Sequence, residues 1–205
     1  MSRRFIITFA AAALSVFALT GCPSPSVVEV TAPERVDVPD ERSSKRSQLA
    51  ANRARNLDEL HAYWTAGVFP RNEELPMVGN VFRDADGHLC AAANLMQKDG
   101  RGELVDRTAR RDNFIRLAEV EDGELHEWIL QSGFTQEEIA MIQVPYMPVH
   151  LISVEEERAR LQQHLEAVES RLRDDTEQSL SIAVRELERV ASSRAATKQQ
   201  PIAMF

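Results

Sequence analysis

The chain has two cysteines, eight glycines and few aromatic residues, only 6% of its 205 positions. Each shortage excludes something. With cysteines at positions 22 and 90 alone there is no Cys-x-x-Cys pair. The five histidines fall in neither His-x-x-x-His nor His-Glu-x-x-His spacing. No preformed metal site is therefore expected. No glycine-rich phosphate loop and no Gly-x-Ser-x-Gly elbow occurs, and no cofactor is expected. Positive charge is also short: 24 basic residues stand against 32 acidic ones, a net charge of −8. That balance disfavours association with the phosphate backbone of nucleic acids.

The one long apolar stretch is Phe5 to Thr20, sixteen residues without a charge, preceded by Arg3 and Arg4 and followed by Gly21. A membrane-spanning helix needs about 20 apolar residues, and prolines and acids follow this run instead of a basic stop-transfer cluster. The layout is that of a secretory signal peptide over residues 1–21. Its end, Leu19-Thr20-Gly21-Cys22, resembles the lipobox of bacterial lipoproteins. The resemblance implies that Cys22 is lipidated on sulfur and becomes the new N-terminus, anchored in a lipid bilayer by acyl chains such as palmitate. Two or three chains anchor stably where one does so marginally. By analogy with that family, Pro23 in place of Asp after the cysteine disfavours retention in the inner membrane, so the resemblance implies an outer-membrane, periplasm-facing location. An ordinary secretory leader with an incidental cysteine is the plainer alternative. Cleavage removes Arg3 and Arg4 and no acid, leaving 22 basic against 32 acidic residues and a net charge of −10.

Four of the nine prolines lie in residues 23–40, a composition suited to an extended tether of about 3 Å per residue. Residues 41–56 carry Arg42, Lys45, Arg46, Arg53 and Arg55. They could form a basic helix near anionic head groups or a solvated helical face. Residues 22–56 are thus expected to be tether and basic segment, ahead of a small helical domain at 57–150. In that domain Asn56 and Glu59 can cap a helix bearing Leu57, Leu60 and Trp64 on one face and ending at Gly67. Residues 89–98 predict a buried helix and 104–111 another. Asp122 precedes Leu125, Trp128 and Ile129, with Gly133 as the stop, and Thr135 with Glu138 forms a capping box. The class expected is all-α, with Trp64 and Trp128 in the core.

Residues 151–195 predict a long amphipathic, coiled-coil-like helix opened by Ser153 and Glu156. Leu161, Leu165, Val168 and Leu172 follow steps of 4, 3 and 4, a short heptad seam. The step from Leu172 through Thr176 to Leu180 is a stutter, and Ala183, Leu187 and Val190 resume the rhythm. The four-residue stripe must be covered. Its own domain, a second copy of the chain or a protein partner could each do so, and the four residues are the candidate partner contacts. Residues 196–205 are expected to be a disordered tail.

Three constellations could carry chemistry. Asp84-Ala85-Asp86-Gly87 resembles part of an EF-hand loop, but placing Gly87 at position 6 puts Phe82 at position 1 and Ala93 at position 12, and neither binds calcium. A turn explains the same residues. Cys90, near a helix start, could be a thiolate nucleophile activated by His88, His61, His126 or His150. Its neighbours Leu89, Ala91, Ala92 and Ala93 instead describe a packed thiol. Arg107, Arg110 and Arg111 share a helical face beside Glu103, Asp106 and Asp112, which reads as a solvated surface. The ordered segments YWTAGVFPRN, VFRDADGHLCAAANLM and LHEWILQSGFTQEEIAMIQVPY, across residues 63–146, resemble a family of secreted bacterial proteins with the pattern F-x-D-x-x-G-x-x-C-A. That resemblance implies a folded module and adds nothing about catalysis. Where members often carry a further cysteine this chain has Val81, so the disulfide the family suggests is absent. The reading is a lipid-anchored envelope protein of interaction or structural type. The alternative is a cysteine-dependent enzyme centred on Cys90.

Overall fold

Among the residues described by the computed structural model, 40–198, there are seven α-helices, one 3-10 turn and no strand. The all-α class is thus observed. The leader, Cys22, the proline-rich tether and the tail beyond residue 198 lie outside the described residues.

The first helix is the longest. α1 runs over Glu41–Ala66 and ends at Gly67, whose left-handed backbone (φ 65°) returns its N–H to the Trp64 carbonyl. No glycine or proline interrupts residues 41–66, so nothing local divides a basic segment from a domain. Asn56 is therefore not an N-cap. It is fully buried in mid-helix, and its Nδ2 donates to the Ser132 carbonyl at 2.9 Å. The expected boundary at residue 56 lies inside one continuous helix.

The next four helices are short: α2 (Ala91–Lys98), α3 (Gly102–Arg111), α4 (Gly123–Gln131) and α5 (Gln136–Ile142). A 3-10 turn over Leu117–Glu119 precedes α4. The Thr135–Glu138 capping box forms in both directions, as does that of Ser153 and Glu156 at the next helix. α2 brings Leu95 and Met96, α4 brings Trp128 and Ile129, and α5 brings Ile139 and Ile142 against Leu57, Leu60 and Tyr63 of α1. Trp128 is buried; Trp64 is half-buried at the edge of this core.

The long C-terminal helix is two helices, α6 (Val154–Asp174) and α7 (Thr176–Lys198). The break falls at Asp175, inside the stutter between Leu172 and Leu180. Together they run antiparallel to α1. Gln162 reaches the Trp64 carbonyl, Glu169 meets His61 and Trp64, Arg46 meets Glu177 and Arg42 meets Glu188. The stripe of Leu161, Leu165, Val168 and Leu172 is at most 7% exposed and belongs to the same core as α1 and α5. Folding back on the chain's own domain is thus the covering observed, and the partner-contact assignment of these four residues is corrected. They are spent inside the molecule. Past the break, Leu180, Ala183 and Val184 of α7 close over Leu49 of α1 in a second cluster.

The basic segment is largely the solvated helical face of its plainer reading, with Arg53 as the exception. Arg53 is 1% exposed, Arg55 bonds Asp99, and Arg42, Lys45 and Arg46 pair with Glu188, Glu41 and Glu177. These cations meet acids of their own chain. Among the described residues no helix is long and apolar enough to cross a membrane.

Because the stripe is internal, Leu165→Asp places a charge in a desolvated position. Its melting transition should fall at every protein concentration, with no associated change in mass by light scattering. A loss of dimer with an unchanged melting temperature would show that the stripe joins two chains.

Candidate functional site

The sequence singled out Cys90, and the structure encloses it. Cys90 is the N-cap of α2, where its Sγ accepts from the Ala93 N–H at 3.4 Å. A helix N-terminus favours a thiolate, but the side chain is wholly enclosed, and burial pushes the thiol up to about 12. Desolvation outweighs the backbone N–H groups. The histidines offered as its activators are engaged or placed elsewhere. His61 bonds Glu169, His126 is buried on α4, and His150 is exposed. His88 gives its Nδ1 to Asp84. Arg107 pairs with Glu103 and Glu124, as a solvated face would.

The Asp84–Gly87 stretch is a turn, not a calcium loop. One Asp84 oxygen accepts the His88 N–H at 2.8 Å; the other accepts His88 Nδ1 at 2.9 Å and the Arg71 N–H at 3.1 Å. Burial pushes the Asp84 carboxyl up, yet the His88 ring, the His88 N–H and the Arg71 N–H together hold it below its ordinary value. Asp86 brings a further carboxylate within 4.8 Å of Asp84 and His88. Three hydrogen bonds to the Asp84 carboxylate order this turn.

What that turn does is fix one wall of a cavity of about 220 Å³. The cavity lies where α1 ends and α6 begins. Gly67 turns the chain out of α1, and residues 68–72 cross to the segment 147–152. Asn72 staples the two: its Nδ2 donates to the carbonyls of Met77 and Tyr146, and its own carbonyl accepts the Val149 N–H. The Ser153 capping box then starts α6. Inside the cavity are Phe69, Met147, Ile152 and Leu161. Around its mouth Val68, Val149 and Val154 are 52%, 45% and 44% exposed, and Leu151, between them in sequence, is 59% exposed.

The polar groups at this cavity are of two kinds. Glu157 is neutralised, held bidentate by Arg160 and bonded by the Met147 N–H. Arg71 is held only in long ion pairs to Glu73 and Asp86, and Arg158 is unpaired. The nearest carboxylate oxygens to Arg71 are 3.8 and 4.0 Å away, beyond hydrogen-bond length, and Arg158 makes no hydrogen bond or ion pair among the described residues. Ser153 and His88 both line the cavity, but the Ser153 hydroxyl donates to Glu156.

Sequence reasoning passed over this site. Its signal was the stretch MPVHLISV at 147–154, whose aliphatic residues follow neither the heptad of α6 nor a strand alternation. Protein-family models, curated proteins and solved structures all give no match to the chain.

The buried thiol yields a direct expectation. Cys90 in the native protein should resist alkylation from pH 7 to pH 9 and react only on unfolding. Rapid native labelling would contradict its enclosure.

Proposed function

We propose that the chain is a lipid-anchored cell-envelope protein, held at the bilayer through Cys22 and located at the outer membrane facing the periplasm. Its helical unit acts as a binding module and not as a catalyst. The site is the cavity between the end of α1 and the start of α6. One observation carries the binding reading: Val68, Val149 and Val154, three aliphatic residues lining a single cavity, are 44–52% exposed. Exposed apolar groups gathered at a concave site mark a place where something docks. The heptad stripe, covered within the chain, no longer supports interaction through the C-terminal helices.

Two measurements test the two halves. Cys22→Ser should move the protein out of the membrane fraction; continued attachment as a cleaved, unlipidated product would overturn the anchor. A neutral aromatic probe, 3-phenylpropan-1-ol, should bind the full chain saturably, with NMR shift changes centred on Met147, Val149 and Leu161. Val149→Trp, which plugs the mouth, should abolish them. Dispersed, unsaturable shifts would overturn the binding module.

A further inference from the structure

Resting on that reading of the cavity as a binding site, the charge around it points to a ligand. We propose that the cavity takes a small apolar monocarboxylate: one carboxylate joined to a single aromatic ring or short alkyl group.

The argument begins with the two guanidiniums. In a chain of net charge −8, acidic partners are abundant, and α1 shows how readily this fold pairs its cations. Arg158 nonetheless remains unpaired at the cavity, although Glu155 stands three residues before it on α6. Arg71 is held only at 3.8 and 4.0 Å by Glu73 and Asp86. The other acids near the opening are already engaged. Glu157 is committed to Arg160 and Asp84 to His88 and Arg71's own backbone N–H. One unpaired guanidinium, Arg158, and one held only in long ion pairs, Arg71, therefore border an apolar hollow. A guanidinium presents a planar fork matched to a carboxylate, and the pair is strongest where water is reduced.

Size then limits what carries the carboxylate. An engineered cavity of about 150 Å³ lined by aliphatic side chains accepts benzene. The present one, at about 220 Å³, has room for a ring with a short linker or an alkyl group of roughly six to eight carbons on the same scale. Phe69, Met147, Ile152 and Leu161 supply the apolar wall. His88, whose Nδ1 is fixed by Asp84, leaves its other ring nitrogen as a further polar atom of the lining. The Asp84 carboxylate holds both the His88 ring and the Arg71 backbone, so the polar side of the site is set before a ligand arrives, which lowers the ordering cost of binding.

The probe is 3-phenylpropanoate, compared on the full chain with 3-phenylpropan-1-ol and 3-phenylpropylamine by NMR titration. The acid should bind with 1:1 stoichiometry at least tenfold more tightly than the alcohol, and the amine more weakly than either. The double variant Arg71→Gln/Arg158→Gln should lose the tenfold preference for the acid while keeping the alcohol's affinity within about twofold. Both arginines are exposed enough for the variant to fold, which an unchanged melting temperature would verify. Equal binding of acid and alcohol, or an acid preference surviving in the double variant, overturns the carboxylate assignment while leaving the cavity a binding site. Failure of all three probes overturns both.

Discussion

Arg53 and Glu138 form an ion pair in the interior of the molecule, 1% and 5% exposed, on which four separate parts of the chain converge. The guanidinium meets the carboxylate bidentately at 2.8 and 2.9 Å. Its remaining N–H groups go to the carbonyls of Gly133 and Leu172 and to the Thr176 hydroxyl. All five donors are thus used. Glu138 in turn caps α5 through the Thr135 N–H and accepts the Ser179 hydroxyl of α7. The Phe134 ring lies 5.0 Å from the guanidinium carbon. Taking two charges out of water costs several kcal/mol each, and only such complete satisfaction offsets it. The pair joins α1, the α4–α5 turn, α5 and the α6–α7 break, and the position of each of these follows from it.

Gly133 shows how closely the parts must approach. Its φ of 86° suits glycine, and a Cβ there would lie 2.4 Å from the Leu49 carbonyl and 2.6 Å from the Arg53 nitrogen. The α4–α5 turn lies directly on α1, which lets the Gly133 carbonyl reach Arg53. The stutter is explained in the same terms. At the break the Leu172 carbonyl is released from regular helix and accepts Arg53, while Asp175 closes α6 by its N–H to Arg171. α7 then starts on a new line and covers the first half of α1, as α6 covers the second. With α1 and α6 so aligned, the end of one and the start of the other frame the cavity proposed as the binding site.

Local signals were well written in the sequence. Two capping boxes, the glycine stops and the packed surroundings of Cys90 all depend on residues within a few positions of one another, and each is where the sequence places it. What escaped was long-range. Arg53 reads as one more cation in a basic run because nothing near it names Glu138, 85 residues away. Asn56 reads as a cap because its acceptor, Ser132, is equally remote. The amphipathic stripe announced that it must be covered without saying by what. The cavity was illegible for the same reason: Val68, Arg71, Met147 and Arg158 meet only once α1 and α6 lie antiparallel.

The dependence of the fold on the buried pair is best tested by a double-mutant cycle in denaturant with Arg53→Ala, Glu138→Ala and both together. Each single substitution leaves a buried charge without its partner and should cost about 3–5 kcal/mol. The double variant should lose markedly less than the sum, in one cooperative transition with α1 and α7 unfolding together. Additive losses, or a separate melting of α7 in the parent protein, would contradict the account.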